Sequence, residues 1–82
     1  MKPSSSIHQV YFNSAFIGAK LSDIPLPERC FLLGLVRENR VYSLADSPDI
    51  SEADWLVAVT LDEALLPELD LCLKQAQQTN AD

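Results

Sequence analysis

The chain is short of the residues from which most recognisable catalytic and nucleotide-binding motifs are built. Its 82 residues include two glycines, two cysteines and one histidine. Two glycines are too few for a phosphate-binding loop or a dinucleotide fingerprint, and one histidine with two isolated cysteines cannot form a recognisable zinc motif. The single histidine lies near the N-terminus, which gives no reliable Ser/His/Asp order. We therefore expect no enzymatic activity, no cofactor and no metal.

Positive charge and long apolar runs are also scarce. Six Lys and Arg residues stand against twelve Asp and Glu, for a net charge of −6. Such a field repels nucleic acid and anionic membranes. No apolar run reaches the roughly 18 residues that a membrane span needs, and the polar segment 1–6 is not followed by the apolar core of a signal peptide. We expect a soluble cytoplasmic chain, or the cytosolic portion of a membrane protein.

Apolar residues, by contrast, make up 48% of the chain. A domain of this length buries only about 60–65% of its unfolded surface, so we expect part of the apolar surface to be covered by a second copy, as a homodimer. The predicted organisation is a flexible N-terminus at 1–6, one domain at 7–74 and a polar tail at 75–82. Cys30 and Cys72 lie in apolar runs and are predicted to be buried free thiols.

Hydrophobic patterning predicts four strands, at 7–12, 30–36, 41–44 and 55–59. Segment 15–24, between the first two strands, is predicted to form a short helix that ends before Pro25. His8 is predicted to be a half-exposed strand residue. Strands segregated from helices indicate the α+β class, here a small, mainly antiparallel four-stranded sheet with a short helix after strand 1 and a C-terminal helix.

The stretch CFLLGLVRENRVYSL, residues 30–44, predicts a hairpin. Glu38 and Asn39 can form a two-residue turn, because asparagine tolerates the left-handed backbone that such turns need. Arg37 and Arg40 then flank the turn. Gly34, inside the first strand of the hairpin, indicates a bulge or a close approach of another backbone.

The C-terminal part of the chain predicts a helix. Thr60 and Glu63 have the spacing of a capping box, with Thr60 as N-cap. Pro67 interrupts the apolar stripe that follows. Either the helix kinks at Pro67, or a short turn ends near Leu66 and a second helix starts with Pro67 in its first turn.

Several of these segments, in this order, resemble the TrkA-C (RCK C-terminal) domain family. Residues 14–26, SAFIGAKLSDIPL, are similar to the opening of that domain, and residues 33–37, LGLVR, are similar to its strand that ends in arginine. Ile50 fits the apolar anchor of its loop, and Asp54 with the strand 55–59 fits its last strand. The resemblance covers about residues 7–69.

Three positions depart from the family pattern. Ala53 replaces the usual glycine, so we expect the turn before the last strand to be made in another way. Leu44 stands where proline is usual, and Asn39 replaces a turn glycine, which the physics permits.

The resemblance implies a non-catalytic regulatory domain that dimerises and works with a potassium or other ion transporter or channel, and that in some members binds cyclic di-AMP or another small ligand. Segment 27–31 lacks the asparagine of the cyclic di-AMP binders, and Glu28 would repel phosphate, which disfavours that ligand. The candidate ligand-binding residues are Arg29, Arg37, Asn39 and Arg40. Surface salt bridges are the alternative for Arg37 and Arg40. The alternative for the whole chain is a ligand-free structural dimerisation module of a larger transporter or antiporter.

Overall fold

The structure, a computed structural model, describes residues 2–75, with the backbone alone for Gln75; most of the predicted polar tail lies outside this range. The described residues form a four-stranded sheet and one α-helix. The elements are β1 (Ser4–Gln9), β2 (Cys30–Arg37), β3 (Arg40–Ser43), β4 (Trp55–Thr60) and α1 (Leu66–Gln75), with 3-10 turns at Leu21–Asp23, Leu44–Asp46 and Glu63–Leu65. The predicted α+β class is confirmed.

The strands lie in the order β1-β4-β2-β3, and every neighbouring pair is antiparallel. Side chains alternate between the two faces of such a sheet. The inner face carries the buried side chains of β2 and β4, and α1 packs on this side against β1. The pairing register places Ser5, Ile7, Gln9, Phe31, Gly34, Val36, Val41, Ser43, Trp55, Val57 and Val59 on the outer sheet face. The bulged residue Leu33 has no register partner and is assigned to this face by its exposure.

The core lies between the inner face of the sheet, α1 and the loops. α1 contributes Leu69 and Leu73, and the loop before β4 contributes Ile50, each at most 1% exposed. The remaining core residues come from strands and from the segment between β1 and β2: Val10, Phe16, Leu21, Cys30, Leu32, Leu35, Leu56 and Ala58. Cys30 is a buried free thiol as predicted, whereas Cys72 is only half-buried.

The predicted hairpin is present, with a different residue in the left-handed conformation. Arg37 pairs with Arg40, which leaves Glu38 and Asn39 as the two turn residues. Glu38, not Asn39, has a positive φ of 54°. A positive φ at the first central position alone is the pattern of a type II′ turn.

Both predictions for Gly34 are confirmed. The register between β2 and β4 shifts between Leu32 and Gly34, so β2 bulges at Leu33. A Cβ atom at Gly34 would collide with the backbone carbonyl of Tyr42 on β3. Glycine therefore allows β2 and β3 to approach at the bulge.

The segment between β1 and β2 differs most from the prediction. β1 begins at Ser4 and ends at Gln9, three residues earlier than predicted, because residues 4–9 pair along the whole of β4. The short helix predicted within 15–24 is wrong: only Leu21–Asp23 is helical, as one 3-10 turn. Phe16 and Leu21 reach the core from consecutive turns instead.

At the C-terminal end, the second of the two alternatives for Pro67 is correct. A 3-10 turn ends at Leu65, and Pro67 is the second residue of α1, where its missing N–H costs nothing. The predicted cap at Thr60 is wrong. Asp62 caps the 3-10 turn by accepting a hydrogen bond from the Ala64 N–H (3.1 Å), and Thr60 bonds to the backbone of Asp62.

The loop before β4 is held by backbone pairing and by one strained residue. Ile50 anchors the loop as predicted, and its backbone bonds to Gly18 and Ala19. Ala53 has a φ of 76°, and the Asp54 N–H bonds to the Ser51 carbonyl (3.2 Å). The expectation that this turn is made in another way is therefore wrong: alanine adopts the left-handed conformation that glycine favours.

Candidate functional site

The four candidate ligand-binding residues lie at opposite ends of β2. Arg29 immediately precedes β2, whereas Arg37, Asn39 and Arg40 surround the hairpin turn at the other end. Eight residues of strand span about 25 Å. The structure therefore brings three of the four residues together and leaves Arg29 in a separate place.

Arg37 is held by a buried carboxylate. Its Nε and one terminal nitrogen each donate to a different oxygen of Asp54, both at 2.9 Å, and the same terminal nitrogen also donates to the Asp49 carbonyl at 2.8 Å. Asp54 is 1% exposed and accepts a further bond from the Ser51 N–H. The hydrogen bond to Asp54 raises the pKa of Arg37, against the opposing effect of burial.

This geometry gives Arg37 a structural role in the folded chain. A buried carboxylate is stable only when its charge is paired and its oxygens are hydrogen-bonded, and Asp54 meets both conditions through Arg37 and Ser51. The bidentate pair ties the end of β2 to the loop before β4. The alternative of a salt bridge is thus the observed one for Arg37, with a partner that is buried and not on the surface.

Tyr42 links Arg37 to Arg40. The two guanidinium carbons lie 5.2 Å and 5.3 Å from the centre of the tyrosine ring, within the range of a cation–π interaction. Arg40 and Asn39 are exposed. Of the three candidate residues at the hairpin, Asn39 and Arg40 are thus the exposed ones, and Arg40 is also stacked on Tyr42.

Arg29 lines a surface depression with a volume of about 440 Å³. Pro27, Glu28, Leu65 and Glu68 form the rest of its wall. Arg29 has a φ of 64°, and its carbonyl accepts a hydrogen bond from the Leu61 N–H (2.9 Å). Two carboxylates and one guanidinium leave the depression with a net negative charge, which disfavours a phosphate-rich ligand.

Sequence reasoning missed a polar cluster between β1 and α1. The Asp70 carboxylate accepts hydrogen bonds from the Ser6 hydroxyl and from Nε2 of His8, the latter at 3.0 Å. These bonds, first that of Ser6 and then that of His8, lower the pKa of Asp70. The His8 side chain is only 16% exposed, so it is more buried than predicted. Ser6 and His8 share one face of β1, but no sequence signal indicated Asp70 as their partner.

This cluster has a Ser, a His and an Asp but not the arrangement of a hydrolase. The hydroxyl and the imidazole both bond to the same carboxylate oxygen. A nucleophilic relay needs the imidazole to accept the proton of the hydroxyl. The observed contacts instead fasten α1 to β1.

Residues 2–75 contain neither a cluster that could bind a metal ion nor a helix that could span a membrane. No group of three or more His, Cys, Asp or Glu side chains is placed to hold a metal ion. No helix in this part of the chain is long and apolar enough to cross a membrane.

Comparisons with known proteins give a structural match and no sequence match. No family model matches the chain, and no curated protein matches it. Among solved structures, one described as "Structure of RCK domain with cda" is similar with a TM-score of 0.61 and 16% sequence identity. The alignment covers 89% of this chain and 99% of that chain. The chain therefore has an RCK-like fold.

Proposed function

We propose that this chain is a non-catalytic regulatory domain of the TrkA-C type, which senses a small ligand for a potassium or other ion-transport system. The proposal also places it in the cytoplasm, as a homodimer that contacts a membrane-embedded transporter or channel subunit. The single observation that supports it most is the RCK-like fold over nearly the whole chain. The arginine at the end of β2 and the aspartate before β4, both part of the sequence resemblance, support it as well, since they pair with each other.

The proposed ligand site is the depression beside Arg29. The similar RCK structure is described as containing cda, which supports a ligand on this fold. In this chain Arg29 supplies one guanidinium group, while Glu28 and Glu68 add negative charge. We therefore propose a ligand that combines one acidic group with neutral or basic hydrogen-bond donors, in preference to one with several phosphates.

Thermal denaturation with a ligand panel tests this proposal. The panel contains cyclic and linear nucleotides, including cyclic di-AMP, amino acids and divalent metals. A ligand at ten times its Kd stabilises the folded form by about 1.4 kcal/mol, which raises the Tm of a domain of this size by roughly 6–11 °C. Arg29→Gln should abolish the shift, and Arg40→Gln, at the opposite end of β2, is the matched control.

A ligand-free structural dimerisation module is the second candidate function. Arg37 is fully engaged within the chain, and Arg40 is stacked on Tyr42, so two of the four candidate residues already have partners. This observation favours a structural role for the hairpin. A panel in which no compound changes the Tm would support the module and contradict ligand sensing.

A further inference from the structure

We infer that the outer sheet face is the surface on which two copies of this chain associate, an inference that rests on the proposed homodimer and specifies its contact. Among the described residues, two elements expose large apolar side chains: the sheet exposes five through its outer face, and α1 exposes Leu71, while the other five exposed ones lie in loops and turns. Composition, charge and area separate them.

The outer sheet face is apolar and uncovered. Five of its large side chains are between 43% and 78% exposed: Ile7, Phe31, Leu33, Val41 and Trp55. They are continuous across the sheet, because Val57 and Val59 of the central strand β4 lie between those of β1 and those of β2. No member of the described hydrophobic core lies on this face. An exposed apolar patch of this extent marks an interaction surface.

No charged side chain lies on the outer sheet face. Its polar members are Ser5, Gln9 and Ser43, all on the edge strands β1 and β3. The chain has 18 charged residues and a net charge of −6, so this neutrality is local. Two copies can therefore meet here without burying a charge or opposing like charges at the contact. A basic partner would find no carboxylate to pair with on this face.

The area of the outer sheet face is what a stable dimer needs. A large apolar side chain has on the order of 200 Å² of surface, so the five half-exposed residues alone contribute about 500 Å². A standard interface buries about 800 Å² on each partner, so these five residues alone supply more than half of that area. Sheets pack face to face at about 10 Å with interdigitated side chains, and a two-fold axis presents the same patch to itself.

Residues 76–82, which lie outside the described range, are too polar to cover the outer sheet face. Residues 76–82 read AQQTNAD, in which two alanines are the only apolar side chains. Such a segment has too little apolar surface to bury the eight large apolar side chains of the outer sheet face. α1 is a weaker site for a second copy, because Leu71 lies between Asp70 and Lys74 on a helix with a polar exposed side.

The experiment compares the oligomeric state of the full 82-residue chain with that of two variants, by light scattering and sedimentation across micromolar concentrations. Phe31→Lys places a charge on the outer sheet face, and Leu71→Lys places the same charge on α1 at a side chain of nearly equal exposure, 51% against 56%. Phe31→Lys is expected to raise the dimer Kd by at least roughly 30-fold, while Leu71→Lys leaves it within a few-fold of wild type.

The single tryptophan gives a second readout that needs no variant. Trp55 lies on the outer sheet face, so acrylamide quenching of its fluorescence should increase as the wild-type protein is diluted through the dimer Kd. A dimer that is unaffected by Phe31→Lys, or whose Trp55 quenching does not change on dilution, would show that the outer sheet face is not the dimer surface. The proposed ligand-sensing function would not be affected by that result. A wild-type monomer at every concentration would overturn the homodimer as well, and the ligand panel would still decide ligand sensing separately.

Discussion

Replacing Ala53 with glycine is expected to stabilise the protein, because Ala53 occupies a backbone conformation that favours glycine. Its φ is 76°, and it is the third residue of a turn closed by the hydrogen bond from the Asp54 N–H to the Ser51 carbonyl. A positive φ at this position alone is the pattern of a type II turn, in which glycine is preferred. The backbone cannot relax easily, because the Ala53 N–H also bonds to the Val10 carbonyl at 2.7 Å.

The expected gain in the free energy of unfolding is the difference between two opposing effects of the Ala53→Gly substitution. The left-handed region costs an L-residue roughly 1–2 kcal/mol relative to glycine, and the variant removes this cost from the folded state. Glycine also makes the unfolded chain more flexible, which takes back about 0.4–1 kcal/mol. Ala53 is exposed, so no packing is lost. The net increase in the free energy of unfolding lies between about 0 and 1.6 kcal/mol, and its midpoint of about 0.8 kcal/mol corresponds to a Tm higher by roughly 3–6 °C.

Urea unfolding, followed by circular dichroism, measures the effect. All variants are compared at one protein concentration, which holds any contribution from association constant. Ala45→Gly is the matched control, since Ala45 is also exposed and its φ is not positive. Glycine at Ala45 should lower the free energy of unfolding by up to about 1 kcal/mol. The reasoning is refuted if Ala53→Gly destabilises the protein as much as Ala45→Gly does.

Three further substitutions test other parts of the structure. Gly34→Ala should lower the free energy of unfolding by about 1–3 kcal/mol, because its Cβ would collide with the Tyr42 carbonyl; an unchanged urea midpoint would contradict the close approach. Asp54→Asn should cost roughly 3 kcal/mol, since it leaves the partly buried Arg37 without its counter-charge, and a Tm within a degree of wild type would show that the pair is unimportant. The pKa of Asp70 is lowered in the folded protein, so its contribution to stability is present above its unfolded pKa and is lost as the pH falls through its folded pKa. Acidification from pH 6 to pH 3 should therefore destabilise the wild-type protein more than Asp70→Asn. Equal losses of stability in urea unfolding would contradict this.

The sequence predicted β2, β3 and β4 to within one residue at each end because each is an apolar run bounded by polar or turn residues. β1 was misplaced for a physical reason. Residues 4–6 are all serine, which has no strand preference of its own, and they become strand because β4 offers a full row of pairing partners. Strand formation depends on such neighbours more than on intrinsic propensity. The same tertiary pairing explains why the more apolar residues 10–12 leave the strand.

The candidate site was predicted by residue type and not by geometry. Arginines and an asparagine near a hairpin are reasonable ligand contacts, but the sequence does not show that β2 separates Arg29 from the others or that Arg37 is already bidentate with Asp54. The contact between His8 and Asp70 joins residues 62 positions apart, which no local pattern reports. Contacts of this separation are decided by packing of the whole fold.

The proposed ligand site and the proposed dimer surface meet at the start of β2. Arg29 lines the depression, and Phe31, two residues further on, lies on the outer sheet face. A displacement of this short segment would therefore move both sites together. A ligand changes association only if it binds monomer and dimer with different affinities, and with one site per subunit the dimer Kd changes at saturation by the square of that affinity factor. We infer that a ligand at Arg29 would act through the position of Phe31, and sedimentation of the wild-type protein with and without the ligand would measure that factor; an unchanged dimer Kd would show that the two sites are independent.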